Sequence, residues 1–291
     1  MNTHKAKIIL ISAMALFGTI GYFLKQIPLR AAEIALYRSI LATIALGIYL
    51  WLTKKPLAFG KVKKELALLF VSGVCLGFGW ILFINALNST TVSLATLSYY
   101  IAPLLITIAC AILFQEKINK NTWMCFGVAS LGIVLITSID TGNAAQNHIL
   151  GIGFALLAAL CYAAVVILNK YIKNINGIER TFLQFASSSI VLLPYVLLTG
   201  GMHIATLQTN AWFFLLFIGL VHTGICYCMY FSALKWIPGN QVALLSYIDP
   251  LVAVMVSVLL LHEAMAPLQM LGGMLVLGAT LWNQCAETKT K

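Results

Sequence analysis

The chain has 291 residues, of which 61% are hydrophobic and only 9% charged, and its mean hydropathy is +0.96. Soluble domains are nearer to roughly 45–50% apolar and 25% charged, so this composition excludes a protein folded in water and predicts an all-α membrane protein whose first partner is lipid. The net charge of +10 indicates no nucleic-acid surface, because the basic residues lie in short connections between apolar runs, as membrane topology requires.

A bilayer core of about 30 Å needs roughly 20 apolar residues per transmembrane helix. Ten apolar runs fit this length and are predicted as spans 1 to 10. They cover 7–25, 31–52, 65–87, 91–114, 121–139, 148–170, 180–199, 211–234, 239–261 and 266–285. The connections are short, so neighbouring spans are expected to be antiparallel.

Lysine and arginine are distributed unevenly over these connections. Of the 18 basic residues, 15 lie on one side of the predicted topology and only two, Lys25 and Arg30, lie on the other. The remaining one, Arg38, lies within span 2. The positive-inside rule therefore places both termini in the cytoplasm and the protein in the cytoplasmic (inner) membrane. The first apolar run extends to about Leu24 without a cleavage site, so we expect a retained first span.

The second half of the chain is a diverged copy of the first. Tyr100-Ile101-Ala102-Pro103 begins an apolar helix that ends at Glu116, and 147 positions later Tyr247-Ile248-Asp249-Pro250 begins one that ends at Glu263. Other matches at offsets of 146 or 147 are Gly77 with Gly224, Gly127 with Gly273, Leu131-Gly132 with Leu277-Gly278, Glu33 with Glu179 and Arg38 with Gln184. These matches predict repeats at 1–143 and 144–291. Each has five spans, an odd number, so the second repeat is inverted in the membrane.

The duplication, the arginine in Leu36-Tyr37-Arg38-Ser39 and the paired proline-to-glutamate helices resemble the EamA branch of the drug/metabolite transporter superfamily. The resemblance covers nearly the whole chain. It implies a five-plus-five inverted bundle with a central cavity lined by parts of spans 1, 3, 4, 6, 8 and 9. It also implies transport, often export, of amino acids, other metabolites or cationic drugs.

Ionisable groups within a bilayer are costly and usually face the interior of the bundle. Arg38 is expected to bind an anionic substrate group or a carboxylate gate, or else to pair with Glu33 or helix-end carbonyls and lock the packing. We favour the structural role, because the resemblance makes an arginine at this point a feature of the family across dissimilar substrates. Asp249 precedes Pro250, where a proline frees backbone groups, and its counterpart is Ala102. Its carboxylate would bind an amine or carry a proton, or else hydrogen-bond a serine or tyrosine.

Other candidates complete the predicted substrate site. His222 would bridge helices as a neutral imidazole or partner a carboxylate. Ser246 adjoins the second repeated motif. The aromatic residues that would stack on an apolar or cationic substrate, or simply fill the core, are Trp80, Tyr99, Tyr100, Tyr162, Tyr227 and Tyr247.

Four further residues are assigned to movement of the helices. Pro103 and Pro250 are expected to kink their helices and permit rocking, while Glu116 and Glu263 are expected to anchor span ends or form ion pairs at gates on opposite sides. The seven cysteines lie inside or at the margins of apolar runs, so we expect buried small side chains without a metal site or disulfide framework.

These patterns favour a secondary active transporter that exports a small amine-bearing metabolite, such as an amino acid, by alternating access. A proton is the candidate coupling ion. An exporter of cationic drugs is the alternative, and a membrane enzyme acting on lipid or a non-transporting subunit is less favoured. No cofactor and no nucleophile–base pair is indicated, so no enzymatic activity is expected, and the sequence assigns no oligomeric state.

Overall fold

The computed structural model describes residues 3–53, 59–113, 120–137, 143–172, 175–234, 236, 237, 242 and 245–289. Within them the chain forms helices and no strands, and ten helical segments follow one another along the sequence. Their bounds are Thr3–Gly18 and Ile20–Lys25 (span 1), Ala31–Leu52 (span 2), Phe59–Ser89 (span 3), Val92–Tyr99 and Ala102–Leu113 (span 4), Lys120–Thr137 (span 5), Asn143–Tyr171 (span 6), Gly177–Leu198 (span 7), Thr209–Leu216, the π-helical Phe217–Ile225 and Cys226–Leu234 (span 8), Ile248–Leu259 (span 9) and Pro267–Lys289 (span 10).

Seven of these segments are long and apolar enough to cross a membrane, and spans 5 and 9 contain shorter apolar helices. Large apolar side chains lie on the outside of the bundle, among them Trp51 (77% exposed) and Leu198 (87% exposed). Such exposure would be unfavourable in water, and it is expected where lipid is the solvent. The predicted all-α membrane fold of ten helices is confirmed.

The packing of the spans repeats between the two halves. Span 3 packs on span 6, and their counterparts, spans 8 and 1, also pack together. Span 3 contacts span 7, and the counterpart pair, spans 8 and 2, is also in contact. Likewise, span 6 contacts span 4, and its counterpart, span 1, contacts span 9. Spans 2 and 7, 4 and 9, and 5 and 10 pair directly with their own counterparts. This pattern is that of two repeats related by a two-fold axis, and five spans per repeat make the second one inverted.

Matched glycines give this symmetry an atomic basis. A Cβ atom at Gly77 would lie 2.3 Å from Ser188 Oγ and 3.1 Å from Leu192 Cδ1, and one at Gly224 would lie 2.7 Å from Ala45 Cβ. Ala45 and Leu192 are themselves 147 positions apart. The repeated glycines therefore allow two equivalent close approaches of helices, span 3 to span 7 and span 8 to span 2.

The repeated proline motifs interrupt their helices at equivalent places. Span 4 breaks at Tyr100 and Ile101, and the helix of span 9 begins after Tyr247. Each break lies just before a proline, Pro103 or Pro250, in the first turn of the helix that follows. A proline has no N–H to donate to the carbonyl four residues earlier, so those carbonyls must find a partner other than the helix at both breaks.

Candidate functional site

Several polar and aromatic side chains keep accessible surface deep within the bundle. Tyr162 is 41% exposed although it belongs to a central span. Others from spans 3, 4, 8 and 9 are half-buried: Trp80, Tyr99, Tyr100, Tyr227, Ser246 and Asp249. Accessible surface at this depth indicates an internal space, which we call the central chamber and define by these seven residues. Tyr247, at 8% exposed, packs behind it.

Asp249 lies at the break in span 9 and contacts the break in span 4. Tyr100 Oη lies 2.8 Å from Asp249 Oδ2, to which it donates, and 3.3 Å from the Ser246 carbonyl oxygen. That carbonyl is the one Pro250 cannot satisfy. The Ser246 hydroxyl turns instead to its own helix and donates to the Val242 carbonyl at 2.9 Å. Asp249 is also in the first turn of its helix, where the helix dipole favours a negative charge.

Arg38 lies on another wall and is only 6% exposed. Its Nε donates to Thr223 Oγ1 at 2.7 Å, and its guanidinium carbon lies 4.1 Å from the centre of the Trp80 ring. Thr223 donates in turn to the Ile218 carbonyl, five residues earlier, at 2.8 Å. The π-helical segment of span 8 thus fixes the threonine oxygen that receives Arg38, consistent with the use of such segments at functional sites.

Glu33 does not pair with Arg38, although the sequence offers it as a partner. Glu33 is fully buried, and its Oε1 lies 3.1 Å from Arg30 Nε and 2.9 Å from His203 Nδ1. Its second oxygen accepts from the His203 backbone N–H at 2.7 Å. The carboxylate is therefore fully used at the end of span 2, away from Arg38.

Two rows of aromatic rings connect these walls. From Arg38, Trp80 contacts Phe185 at 5.2 Å between ring centres, and Phe185 contacts Tyr227 at 5.3 Å. We call these three rings the arginine row. Such tilted and edge-on contacts are the favourable geometries of aromatic pairs.

The second row starts from Asp249. Tyr100 contacts Tyr99 at 6.3 Å, and Tyr99 contacts Tyr162 at 5.9 Å. Tyr99 lies within electrostatic range of both Asp249 and Arg38. Tyr227 of the arginine row also lies within range of both. The chamber therefore has a cation on one wall and a carboxylate on another, with aromatic rings between them.

His222 is placed outside the chamber, in the contact between spans 1 and 8. It is fully buried, and its Nε2 lies 2.9 Å from Thr19 Oγ1. Since Thr19 donates its own proton to the Leu16 carbonyl at 2.8 Å, we assign the proton of this hydrogen bond to Nε2. The rings of Phe23 and Phe217 enclose the imidazole at 5.0 and 5.1 Å. This geometry fits a bridge between helices.

Glu263 joins the ends of three spans. It forms an ion pair with Lys25 of span 1, accepts a hydrogen bond from the Val92 backbone N–H of span 4 at 2.7 Å, and receives the Ser257 hydroxyl of span 9. Ser257 accepts in turn from the Ser93 backbone N–H at 3.2 Å. We call these five residues the Glu263 cluster. Glu116, its counterpart in the first repeat, lies outside the described residues.

The residue before Glu263 carries backbone strain. His262 has a φ of 53° and is the one non-glycine residue with positive φ in the described part of the chain. Such conformations are costly and persist only where the surroundings enforce them. Here the turn directs the Glu263 side chain back onto the N-terminus of span 4.

Sequence reasoning did not identify Thr223 or Phe185. Thr223 has no distinguishing sequence signal, because the π-helical register that exposes its hydroxyl to Arg38 is a tertiary effect. Phe185 is adjacent to Gln184, the counterpart of Arg38, and this proximity was the available signal. In the described residues, no group of three or more His, Cys, Asp or Glu side chains is arranged to hold a metal ion.

An apolar groove lies outside the chamber, between spans 5 and 10. Its volume is about 290 Å³, and it is lined mainly by apolar side chains, among them Met124, Val128, Met274 and Trp282. None of the described residues that line it is charged, so it suits lipid chains better than a polar solute.

Comparison with known proteins agrees with this architecture. The family described as "EamA-like transporter family" matches residues 4–138 and again residues 149–283. "Uncharacterized transporter YxxF" of Bacillus subtilis (strain 168) is 29% identical over 252 residues, which cover 86% of this chain and 79% of that protein. "Protein RarD" of Streptomyces exfoliatus is 24% identical over 277 residues, or 92% and 84% of the two chains. A solved structure titled "Crystal structure of protein" shares the fold with a TM-score of 0.63 at 15% identity, covering 95% of this chain and 96% of its own.

Proposed function

Because the chain belongs to the EamA-like transporter family, we propose that it carries a small amine-bearing metabolite, such as an amino acid, out of the cell across the cytoplasmic membrane. The observation that supports this substrate class is Asp249, the one acidic side chain among the described residues that keeps accessible surface in the central chamber. A carboxylate there would bind an ammonium group, and the neighbouring tyrosines add faces on which a cation is favoured.

Alternating access is the proposed mechanism. In this proposal the Glu263 cluster closes the external end, where Lys25 and the carboxylate hold spans 1, 4 and 9 together. Opening that end requires these contacts to break while the half-helices move about the breaks before Pro103 and Pro250. The predicted role of Glu116 at the opposite end, the orientation of the termini and the repeat boundary at 143 and 144 remain sequence-based expectations.

Proton coupling is part of the same proposal. The chain has no indicated nucleotide site, so an ion or solute gradient must supply the energy. Asp249 would release a proton when it binds the ammonium group and take one up when the substrate leaves. A carboxylate that serves both ligands in turn links their movements in opposite directions across the membrane.

Export of cationic drugs is the second candidate function. The two aromatic rows and Asp249 would suit a lipophilic cation as well as an amino acid. Against it stands the cation Arg38 on the facing wall, which would repel a ligand that carries only positive charge. No enzymatic role is proposed.

Purified protein in proteoliposomes tests the proposal. Radiolabelled amino acids and cationic compounds would be followed with and without an imposed pH gradient. We expect proton-linked movement of an amino acid by the wild type and its loss in Asp249→Asn. Glu179→Gln is the matched control, because Glu179 lies at the start of span 7, outside the chamber. Undiminished proton-linked transport in Asp249→Asn would remove Asp249 from the mechanism, and transport of neither class would overturn the function.

A further inference from the structure

We propose that Arg38, held by Trp80 and Thr223, binds the carboxylate of the transported solute, so that the substrate is a zwitterion with its ammonium group at Asp249. This inference rests on the proposed function and adds a second subsite to it. It predicts that a solute needs both charges, which separates amino acids from simple amines and from cationic drugs.

The charge of Arg38 has no acidic partner in the part of the chain that the structure describes. A guanidinium group has five N–H donors. One of them, on Nε, goes to Thr223, and no acidic side chain of the described residues lies within ion-pair distance of Arg38. The Trp80 ring attracts the cation but offers no conventional acceptor. A buried cation without a counter-ion is unfavourable, so an anion that enters the chamber would relieve it.

The guanidinium group of Arg38 is already held in position by its neighbours. Thr223 fixes its Nε, and Trp80 supports the flat face of the guanidinium group. The two terminal nitrogens form no hydrogen bond with any residue that the structure describes. Parallel N–H groups of this kind match the two oxygens of a carboxylate.

Gln184 stands at the position in span 7 that matches Arg38 in span 2. Its amide donates to the Ser72 hydroxyl and, at 2.7 Å, to Asn169 Oδ1, and the side chain is 3% exposed. A neutral side chain whose amide N–H groups are both hydrogen-bonded therefore satisfies the packing at this place in the fold. Packing alone does not explain an arginine in the first repeat.

Tyr99 and Tyr227 each lie within electrostatic range of both Arg38 and Asp249, yet Arg38 and Asp249 form no ion pair with each other. The chamber thus presents separate positive and negative groups around one space. A solute with a carboxylate and an ammonium group complements both, whereas a simple cation complements one and is repelled by the other.

A cycle that combines protein and ligand changes tests the subsite. Phenylalanine would be compared with phenethylamine, and leucine with 3-methylbutylamine, because each pair differs only by the carboxylate. Binding to purified protein would be measured by isothermal titration. Because hydrogen bonds to a charged group are stronger than neutral ones, we expect the wild type to prefer the amino acid by roughly 10-fold or more and Arg38→Gln to lose this preference.

Two variants keep the result interpretable. Arg30→Gln removes an arginine at the start of the same helix but outside the chamber, and it should retain the wild-type preference. Arg38→Lys keeps the charge without the planar pair of donors and should show an intermediate preference. If Arg38→Gln does not fold, Arg38→Lys decides, and an unchanged preference in it overturns the inference.

The failure of this inference is distinguishable from that of the proposed function. An unchanged amino-acid preference in folded Arg38→Gln, or wild-type protein that binds the amines as tightly as the amino acids, overturns the carboxylate subsite while transport of an amine stands. Absence of transport for both ligand classes in proteoliposomes overturns the function and the subsite together.

Discussion

Spans 2 and 7 occupy matching places in the two repeats, and their polar residues have different surroundings. Gln184 in span 7 is enclosed and donates to Ser72 and Asn169. Among the described residues, Arg38 in span 2 hydrogen-bonds only Thr223, and it lies against the Trp80 ring. The same place in the fold therefore carries a neutral group with both amide N–H donors bonded in one repeat and an incompletely bonded cation in the other.

Spans 4 and 9 also differ, but in this pair the charged residue belongs to the second repeat. Ala102 in the first repeat is 2% exposed and packs in an apolar cluster with Leu104 and Ala129. Asp249 in the second repeat is half-buried and accepts from Tyr100 in the central chamber. The first repeat thus contributes the cation of the chamber and the second contributes its acid.

Helix packing survives duplication because it depends on small and apolar residues that either repeat can keep, as at Gly77 and Gly224. A site with one positive and one negative wall cannot survive duplication unchanged, because a two-fold axis would place like charges opposite each other. The departures from internal symmetry therefore identify the chemistry better than the matches do. The variants below test that contrast, beginning with the largest expected effect.

Moving the acid from one repeat to the other should not restore function. We expect Asp249→Ala to lower the transport rate by about 100-fold, which is the upper range for the loss of a hydrogen bond to a charged group. The double variant, with Ala102→Asp added, should show no recovery. Position 102 is enclosed by apolar side chains, so an acid there would be buried without a partner. Transport in proteoliposomes and the melting temperature measure the two effects.

Asp249→Glu serves as the control for this exchange, because it keeps the acid in the second repeat. Recovery of transport in the double variant would mean that the two positions are interchangeable. The proposed polarity of the chamber would then be wrong.

Glu263→Gln should loosen the end of the bundle that the Glu263 cluster joins. The carboxylate accepts from the Val92 backbone N–H and pairs with Lys25, so its neutralisation weakens the contact of spans 1, 4 and 9. We expect amide hydrogen exchange in a peptide covering residues 90–94 to accelerate by about 10-fold, as for the loss of a hydrogen bond to a charged group. Glu179→Gln should leave the exchange of that peptide unchanged. Equal exchange in the two variants would show that the Glu263 cluster does not hold this end of the bundle closed.

The glycines of spans 5 and 10 give a smaller and more local contrast. Gly132 and Gly278 match in sequence, but a Cβ atom at Gly132 would lie 2.6 Å from the Gly272 carbonyl oxygen, while one at Gly278 would meet nothing within 4 Å. Gly132→Ala should destabilise the protein by about 1–3 kcal/mol through overpacking, and Gly278→Ala should not. Melting temperatures of the two purified variants check this, and equal values would show that the repeats pack alike at this pair.

The sequence was sufficient to predict what depends on hydropathy and spacing. The ten spans follow from the lengths of apolar runs, and the duplication follows from the motifs around Pro103 and Pro250. Asp249 and the tyrosines of spans 4 and 6 could be singled out because ionisable groups are rare in apolar helices, and their role in substrate binding stays a prediction.

Contacts between distant parts of the chain were not predictable in the same way. Glu33 is three residues from Arg30 and five from Arg38, and local spacing did not reveal that it also binds His203, 170 positions away. The pairing of Lys25 with Glu263 likewise joins the two repeats. The π-helical register around Thr223 depends on hydrogen bonds shifted by one residue, for which composition gives no signal.

His222 offers the smallest expected effect and separates a bridging histidine from a transport residue. Its counterpart at the offset of 147 is Cys75, so the contact of spans 3 and 6 is made without a histidine at this place. His222→Phe keeps the aromatic contacts with Phe23 and Phe217 and removes the hydrogen bond to Thr19, which still donates to its own helix.

We expect His222→Phe to cost about 1 kcal/mol of stability and to leave the transport rate unchanged. Thr19→Val should have a similar effect, and the double variant should add little, because both changes remove the same bond. Normal stability with a lost transport rate in His222→Phe would show that the imidazole acts in the transport cycle. The second repeat would then supply two functional groups, Asp249 and His222, where the first repeat has only Ala102 and Cys75.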